Sequence, residues 1–266
     1  MIRSGCAGWA LPRAVREEFG PGDSQLARYA TRLPAVEINT SFYRPHQRKV
    51  YERWAASVPA DFRFSAKLPK AITHERRFVD CEALLDTFLA EVTGLGEKLG
   101  WLLVQLPPSF AFESAVALPF LELLSERFDG NIACEPRHAS WFGYNVDALL
   151  RELRIARVLA DPVRIDEARA PGGWTARVYL RLHGSPRMYF SPYEPELLQA
   201  LAARLRLADR ECEEAWCIFD NTGSGAAAAN ALELQRLTPG ASRRTPASAP
   251  GPAAPKPDRT SRAGRS

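Results

Sequence analysis

The sequence predicts an α/β protein with the fold of a (β/α)8 TIM-like barrel, and three observations carry this prediction. Eight short apolar segments recur between residues 2 and 221, and most are followed by a loop and a helical pattern. Regular alternation of strands and helices implies right-handed crossovers and a parallel sheet. Polar side chains collect at the carboxyl ends of seven segments, where barrels carry their functional sites.

The eight predicted strands are short runs with apolar alternation, at residues 2–6, 36–39, 63–68, 101–106, 132–137, 156–161, 177–183 and 215–221. The seventh shows the pattern most clearly, because aliphatic residues alternate there with Tyr179, Arg181 and His183. Side chains of a strand point alternately to its two faces, so one face is apolar and the other polar.

Seven helices are predicted at 24–33, 47–58, 80–99, 114–128, 145–154, 194–207 and 225–237. The third has an apolar stripe at helical spacing, with Asp80 as its expected cap. Its members are Leu84, Leu85, Phe88, Leu89, Val92 and Leu95. Only residues 162–176 separate the sixth and seventh strands, and Pro171-Gly172-Gly173 interrupts them. We therefore expect a degenerate unit there, a loop or single turn instead of a helix.

An open doubly wound sheet is the alternative fold. Such a sheet has a glycine-rich nucleotide-binding turn after its first strand. Residues 5–9 lack the GxGxxG spacing of that turn, which favours the barrel. The barrel prediction covers residues 1–239 as one domain. From Gly240 onward the chain is rich in Ala, Pro, Ser and Arg, so residues 240–266 are expected to form a disordered basic tail.

The net charge of +4 comes from this tail, which holds six basic residues against one acidic residue. The near-neutral remainder exerts no general attraction on nucleic acid. The five cysteines form no CxxC pair, and Cys6 and Cys134 lie in apolar runs, which indicates buried free thiols. With no secretory signal pattern at residues 1–6 and no apolar run of membrane length, we expect a cytoplasmic protein without membrane association.

Alternation along the strands indicates which polar side chains face the barrel mouth. The strand-end candidates are Glu37, Asn39, Lys67, Gln105, Glu135, Arg137, Asp161, Arg181, His183, Asp220 and Asn221, and the loops add Tyr43, His74 and Trp141. From this set Glu37, Glu135 and His183 are the expected catalytic groups. The other residues are expected to bind the ligand.

Several motifs resemble the YecE-like family, also catalogued as domain of unknown function 72. The matching stretches are 36–44, 59–67, 72–74, 103–110, 135–141, 181–184 and 219–222, among them Val-Glu-Ile-Asn-Thr-Ser-Phe-Tyr-Arg, Glu-Pro-Arg-His-Ala-Ser-Trp and Arg-Leu-His-Gly. The resemblance runs from Gly5 to about Leu237. It implies a TIM-like barrel and leaves the chemistry open.

Two interpretations of Glu37 and Glu135 remain open. Two carboxylates in unequal environments can serve as a general acid and a general base. Alternatively, Glu37 pairs with Lys67, and Glu135 pairs with Arg137 or Arg181. Lys67 also has two interpretations. A desolvated lysine is a Schiff-base nucleophile, whereas a lysine kept charged by Glu37 anchors an anionic substrate, which is the interpretation we favour.

A metal site is a further alternative, because endonuclease IV, also a barrel, uses histidines and carboxylates in this way. Its candidate ligands are His74, His138, His183, Glu37, Glu135, Asp161 and Asp220. No HxH or HExxH spacing is present, and Lys67, Arg137 and Arg181 would repel a divalent cation while attracting an anion. We therefore expect neither a metal nor another cofactor.

The function that these residues favour is an enzyme acting on a small anionic or polyol ligand, such as a phosphate ester or sugar derivative, by metal-independent acid–base chemistry. Residues 221–226 add either a phosphate site at a helix start or a simple turn. One alternative function is a non-catalytic nucleic-acid or polyanion binder that uses the mouth aromatics and the basic tail. The other is a metal-dependent phosphoesterase resembling endonuclease IV.

Overall fold

The computed structural model describes residues 1–239. Its ten strands form one sheet. They are β1 (Ile2–Ala7), β2 (Ala35–Ile38), β3 (Arg63–Lys67), β4 (Leu99–Gln105), β5 (Asn131–Glu135), β6 (Ile155–Arg157), β7 (Leu159–Asp161), β8 (Gly172–Gly173), β9 (Arg177–Leu182) and β10 (Glu214–Phe219). The order is β7-β9-β10-β1-β2-β3-β4-β5-β6-β8, and every pairing is parallel except that of β8 with β6.

The sheet closes through the predicted sixth strand, which is divided at Val158. Its first part, β6, pairs with β5, and Cys134 lies opposite Arg157. Its second part, β7, pairs with β9, and Ala160 lies opposite Arg181. One continuous stretch of chain therefore joins the two edges of the sheet. The predicted TIM-like barrel is confirmed.

The α-helices pack around the barrel and match the predicted helices in number and order, apart from one added turn. They are α1 (Gln25–Tyr29), the added turn α2 (Thr40–Tyr43), α3 (Arg48–Ala56), α4 (Glu82–Val92), α5 (Ser114–Arg127), α6 (Tyr144–Glu152), α7 (Pro195–Glu211) and α8 (Ala226–Leu237). Between β7 and β9 lie only a 3-10 turn at Asp166–Ala168 and the short β8. The degenerate unit is confirmed.

Helix α4 differs from its prediction at both ends. Cys81, not Asp80, precedes its first residue, and no side chain caps it. Asp80 has a φ of +50°, which turns the chain before the helix starts. A 3-10 segment from Thr93 to Lys98 follows α4, and Gly96 within it has a φ of +57°. Leu84 lies on the exposed side, while the other members of the stripe are buried.

The barrel interior is divided into two regions. Trp101, Tyr179 and Trp216 fill the lower part, with ring centroids 5.3 to 6.5 Å apart. We call these three rings the aromatic floor. Above it lie five charged side chains, which we call the charged layer. They are Glu37, Glu135, Arg181, His183 and Asp220, and none is more than 7% exposed.

The five cysteines are free, and Cys6 and Cys134 are buried as predicted. Within residues 1–239, no helix combines the length and apolar character needed to cross a bilayer. The predicted tail, residues 240–266, lies outside the described residues.

Candidate functional site

Arg181 lies at the centre of the charged layer, with its side chain 1% exposed. The guanidinium donates to Glu37 at 2.6 and 3.0 Å, to Glu135 at 2.6 Å and to Asp220 at 3.1 Å. Burial by itself would lower the pKa of Arg181, but these three carboxylates raise it well above its ordinary value. The planar fork of donors thus binds carboxylates from β2, β5 and the end of β10.

His183 follows β9 and lies between two of the same carboxylates. Its Nδ1 is 2.9 Å from Asp220 and its Nε2 is 3.1 Å from Glu135. Burial opposes protonation of the ring, but the charge of Glu135 and the two hydrogen bonds outweigh it and raise the pKa of His183. Only the imidazolium can donate from both nitrogens, so the charged layer stabilises the protonated form.

Glu37 uses both of its oxygens within the barrel. One accepts from Arg181 at 2.6 Å. The other accepts from Tyr179 at 2.9 Å and again from Arg181. The expected ion pair of Glu37 with Lys67 is wrong. Glu37 lies in register with Ser65, two residues before Lys67, and is therefore one layer lower in the barrel.

Glu135 is likewise fully engaged. One oxygen accepts from Arg181, and the other accepts from Arg137 at 2.8 and 3.0 Å and from His183. Burial would raise the pKa of Glu135, but the three cations hold it well below its usual range. For both glutamates the structure shows the ion-paired interpretation, and neither has an oxygen free of donors.

Lys67, the last residue of β3, has no such partner. Its side chain is 8% exposed, yet its ammonium forms no ion pair and no hydrogen bond with residues 1–239. The centre of the Phe42 ring lies 4.0 Å from Nζ. Burial and then the charge of Arg181 lower the pKa of Lys67 to about 8, against only partial compensation by the carboxylates. The side chain is thus largely desolvated and has no counterion in direct contact.

Arg137 and His74 add two further basic groups near Lys67. Arg137 donates to Glu135 through Nε and Nη2, while its Nη1 has no hydrogen-bond partner within the described part of the chain. The His74 ring lies 4.8 Å from that of Phe42. Burial and the charges of Lys67 and Arg137 lower the pKa of His74 to about 4, so it is neutral at pH 7.

Comparison with known proteins places this chain in a family. The model described as "Protein of unknown function DUF72" matches residues 3–256. The chain belongs to the DUF72 family. Among curated relatives, UPF0759 protein YecE of Escherichia coli K12 is 33% identical over 175 residues, which are 64% of this chain and 62% of that protein. The chain thus matches less than two thirds of the YecE length. UPF0759 protein YunF of Bacillus subtilis is 24% identical over 89% of this chain and 94% of its own.

Two crystal structures of DUF72 family proteins share the fold. One is from Enterococcus faecalis, with a TM-score of 0.75 and 25% identity, covering 90% of this chain and 95% of that chain. The other is from Thermotoga maritima, with the same score and identity, covering 89% and 98%. The resemblance to the YecE-like family and the barrel that it implied are both confirmed.

In this DUF72 chain, two predicted site residues lie on the wrong face of the sheet. Asp161 lies in register with Leu182, which faces the helices, and it accepts a hydrogen bond from Tyr193 at 2.7 Å. Asn221 follows Asp220 directly, two residues beyond the end of β10. Its amide donates to Ser191 and Asn230. Neither side chain lies in the charged layer, and their role in ligand binding stays a prediction.

Two loop aromatics also differ from expectation. Trp141 is fully buried, and its Nε1 donates to the carbonyl of Phe110 at 2.8 Å. It therefore packs between the loops and supports them. Tyr43 is 71% exposed beside Phe42 and lies at the outer rim.

Asn39 and Gln105 do reach the mouth. The Asn39 amide lies 3.5 Å from Asp220, and its Oδ1 is buried with no partner in residues 1–239. Gln105 lies in register with Glu135 and faces inward, donating to the carbonyl of Leu106. Both residues place amide groups next to the charged layer.

Sequence reasoning missed two features. Tyr179 supplies a donor to Glu37, and its alternation with Arg181 was the available signal. A cavity of about 40 Å³ adjoins Arg137 and His183, lined in part by Val158, Ala160 and Met188. It lies beside the degenerate unit, where no helix covers the barrel.

The sequence left open a metal site among the histidines and carboxylates, and a phosphate site at residues 221–226. Within residues 1–239, no group of three or more His, Cys, Asp or Glu side chains is arranged to hold a metal ion. The guanidinium of Arg181 lies among the three carboxylates instead. Before α8 the chain makes a tight turn, in which Gly225 has a φ of +80° and its N–H donates to Thr222.

Proposed function

We propose that the barrel mouth binds a small anionic ligand, a phosphate ester or a phosphorylated sugar derivative, and that the protein acts on it by acid–base chemistry. The observation that carries this proposal is Lys67, a largely buried residue at the mouth whose ammonium makes no ion pair and no hydrogen bond with residues 1–239. Leaving a buried charge unpaired is costly, and an anion from outside would supply the missing counterion.

The balance of charge supports an anionic ligand. Three carboxylates, Glu37, Glu135 and Asp220, are enclosed by Arg181, His183 and Arg137, which match them in charge. Lys67 adds a fourth positive charge. A cleft with excess positive charge and low-dielectric walls attracts anions. Asn39 and Gln105 offer amide groups that suit the hydroxyls of a sugar.

Lys67 is also the group suited to proton transfer. With a pKa of about 8 it changes protonation close to neutral pH, as an efficient general acid or base requires. Glu37, Glu135 and His183, the expected catalytic residues, serve in this proposal to hold the charged layer rigid, since their polar atoms are already engaged.

Thermal unfolding in inorganic phosphate and in glycerol phosphate tests the proposal. Saturating anion should raise the melting midpoint of the wild type by a few degrees, because a ligand that binds only the folded state stabilises it. Lys67→Met should lose this increase. Lys70→Met is the matched control, since Lys70 is exposed and paired with Glu75 at 2.9 Å. An equal increase in all three proteins would place the anion elsewhere and contradict the proposal.

A further inference from the structure

We propose that Lys67 is a covalent nucleophile, forming an imine with an aldehyde or ketone group of the anionic ligand. The inference rests on the proposed function, because the anionic group brings the carbonyl to the amine. The inference extends the proposed function by naming the reacting group of the ligand and the bond that forms.

The position of Lys67 suits this reaction. Its backbone carbonyl accepts a hydrogen bond from Ser41 at 2.7 Å, which fixes the end of β3. Its amine lies 4.0 Å from the centre of the Phe42 ring, and no carboxylate within residues 1–239 forms an ion pair with it. A lysine desolvated in this way, next to another cation, is an activated nucleophile.

The contacts of Arg181 explain why the nearby carboxylates do not pair with Lys67. Glu37, Glu135 and Asp220 direct oxygens to that guanidinium, at 2.6 to 3.1 Å. With a pKa of about 8, Lys67 is the neutral amine in roughly one molecule in ten at pH 7. An ordinary lysine is neutral in only a few molecules in ten thousand.

The reaction needs no oxidant or reductant. The lone pair of neutral Nζ attacks the carbonyl carbon, a C–N bond forms, and the π electrons pass to the oxygen. Nζ gives up one proton and the oxygen takes one up, which gives the neutral carbinolamine with one N–H remaining. Loss of water then breaks the C–O bond and leaves the C=N bond of the imine. One amine and one carbonyl thus give one imine and one water.

Borohydride trapping on the full chain tests this inference. Wild type is incubated with glycolaldehyde phosphate, reduced with sodium borohydride and mapped by peptide mass spectrometry. Borohydride supplies the hydride that converts the imine to a stable secondary amine. The adduct should lie on Lys67 at least tenfold above each of Lys49, Lys70, Lys98 and Lys256. The extent of labelling should rise with pH and reach half its maximum near pH 8.

Two variants complete the test. Lys67→Arg keeps a positive charge but cannot form an imine, so it should retain stabilisation by phosphate and lose the adduct. Lys70→Arg should label as the wild type does. Because the wild-type map locates the adduct, the test holds even if Lys67→Arg folds poorly. If phosphate stabilises the wild type and no adduct forms on Lys67, the inference fails and the proposed function stands. If phosphate has no effect on the wild type, the proposed function fails, and the inference with it.

Discussion

The aromatic floor and the charged layer occupy the same barrel interior and are filled by opposite means. In the floor, Tyr179 stacks on Trp216 with an interplanar angle of 16°, and Trp101 meets both rings edge-on. Such packing stabilises through burial of apolar surface and ring contacts. The charged layer buries ions at a similar depth, where desolvation consumes much of the Coulombic gain.

The aromatic floor serves the fold, and we propose that the charged layer serves a ligand. Well-packed apolar side chains would stabilise the upper barrel as well as or better than a buried ion network. The aromatic floor, in the lower part of the same barrel, is packed with such apolar side chains. Under the proposed function, the charged layer and the unpartnered Lys67 above it are features of a binding site, with a cost in stability.

The largest effect is expected where the charged layer loses its central cation. Arg181→Met keeps the side-chain length but leaves Glu37, Glu135 and Asp220 without their shared partner. Removing one partner of a buried ion pair costs about 3–5 kcal/mol. Urea unfolding at pH 7 measures this loss in the free energy of unfolding.

The matched control is Arg169→Met, because Arg169 is 74% exposed and pairs only with exposed Asp166. Its cost should be below about 0.5 kcal/mol. Equal costs for the two variants would mean that Arg181 does not hold the layer together.

A smaller effect is expected at Tyr179, which belongs to the floor and donates to the charged layer. Tyr179→Phe leaves the ring in place and removes the donor to Glu37. Loss of a buried hydrogen bond to a charged group should cost about 1.5–3 kcal/mol.

The corresponding change within the floor is Trp101→Phe. The Trp101 indole N–H is buried with no partner in residues 1–239, so its removal abolishes no hydrogen bond. Its cost should stay below about 1.5 kcal/mol. Calorimetric melting of both variants compares the two losses. A greater loss from Trp101→Phe would remove the distinction between the regions.

The barrel fold could be predicted from the sequence because strand and helix periodicities are local signals. The charged residues Glu37, Glu135, Arg181, His183 and Asp220 were also foreseen, since alternation along each strand places them inside. Asp161 and Asn221 lie outside the charged layer, because alternation and not position at a strand end decides which side chains face inward. Ala160 and Asp220 occupy the inward positions instead.

What could not be predicted depends on register and on contacts distant in sequence. Lys67 and Glu37 lie on adjacent strands, but their one-layer offset follows from the pairing of Glu37 with Ser65. Arg181, 144 residues away in the chain, takes the carboxylate instead. Burial of Trp141 likewise depends on the packing of its loop against Phe110.

The pKa of Lys67 fixes how stability should depend on pH. Because folding lowers this pKa from 10.5 to about 8, the folded state is penalised for carrying the charge. This loss in the free energy of unfolding is complete below pH 8, declines between about pH 8 and 10.5, and is absent above that range. Lys67→Met removes it.

The free energy of unfolding of Lys67→Met and wild type without ligand, measured in urea from pH 7 to pH 10.5, tests the central claim most directly. The claim is that the mouth holds an unpartnered cation for a ligand. Lys67→Met should be more stable at pH 7, by roughly 1–3 kcal/mol, and the difference should vanish towards pH 10.5. A variant less stable than wild type at pH 7 would show that Lys67 has a partner within the fold, and would contradict the claim.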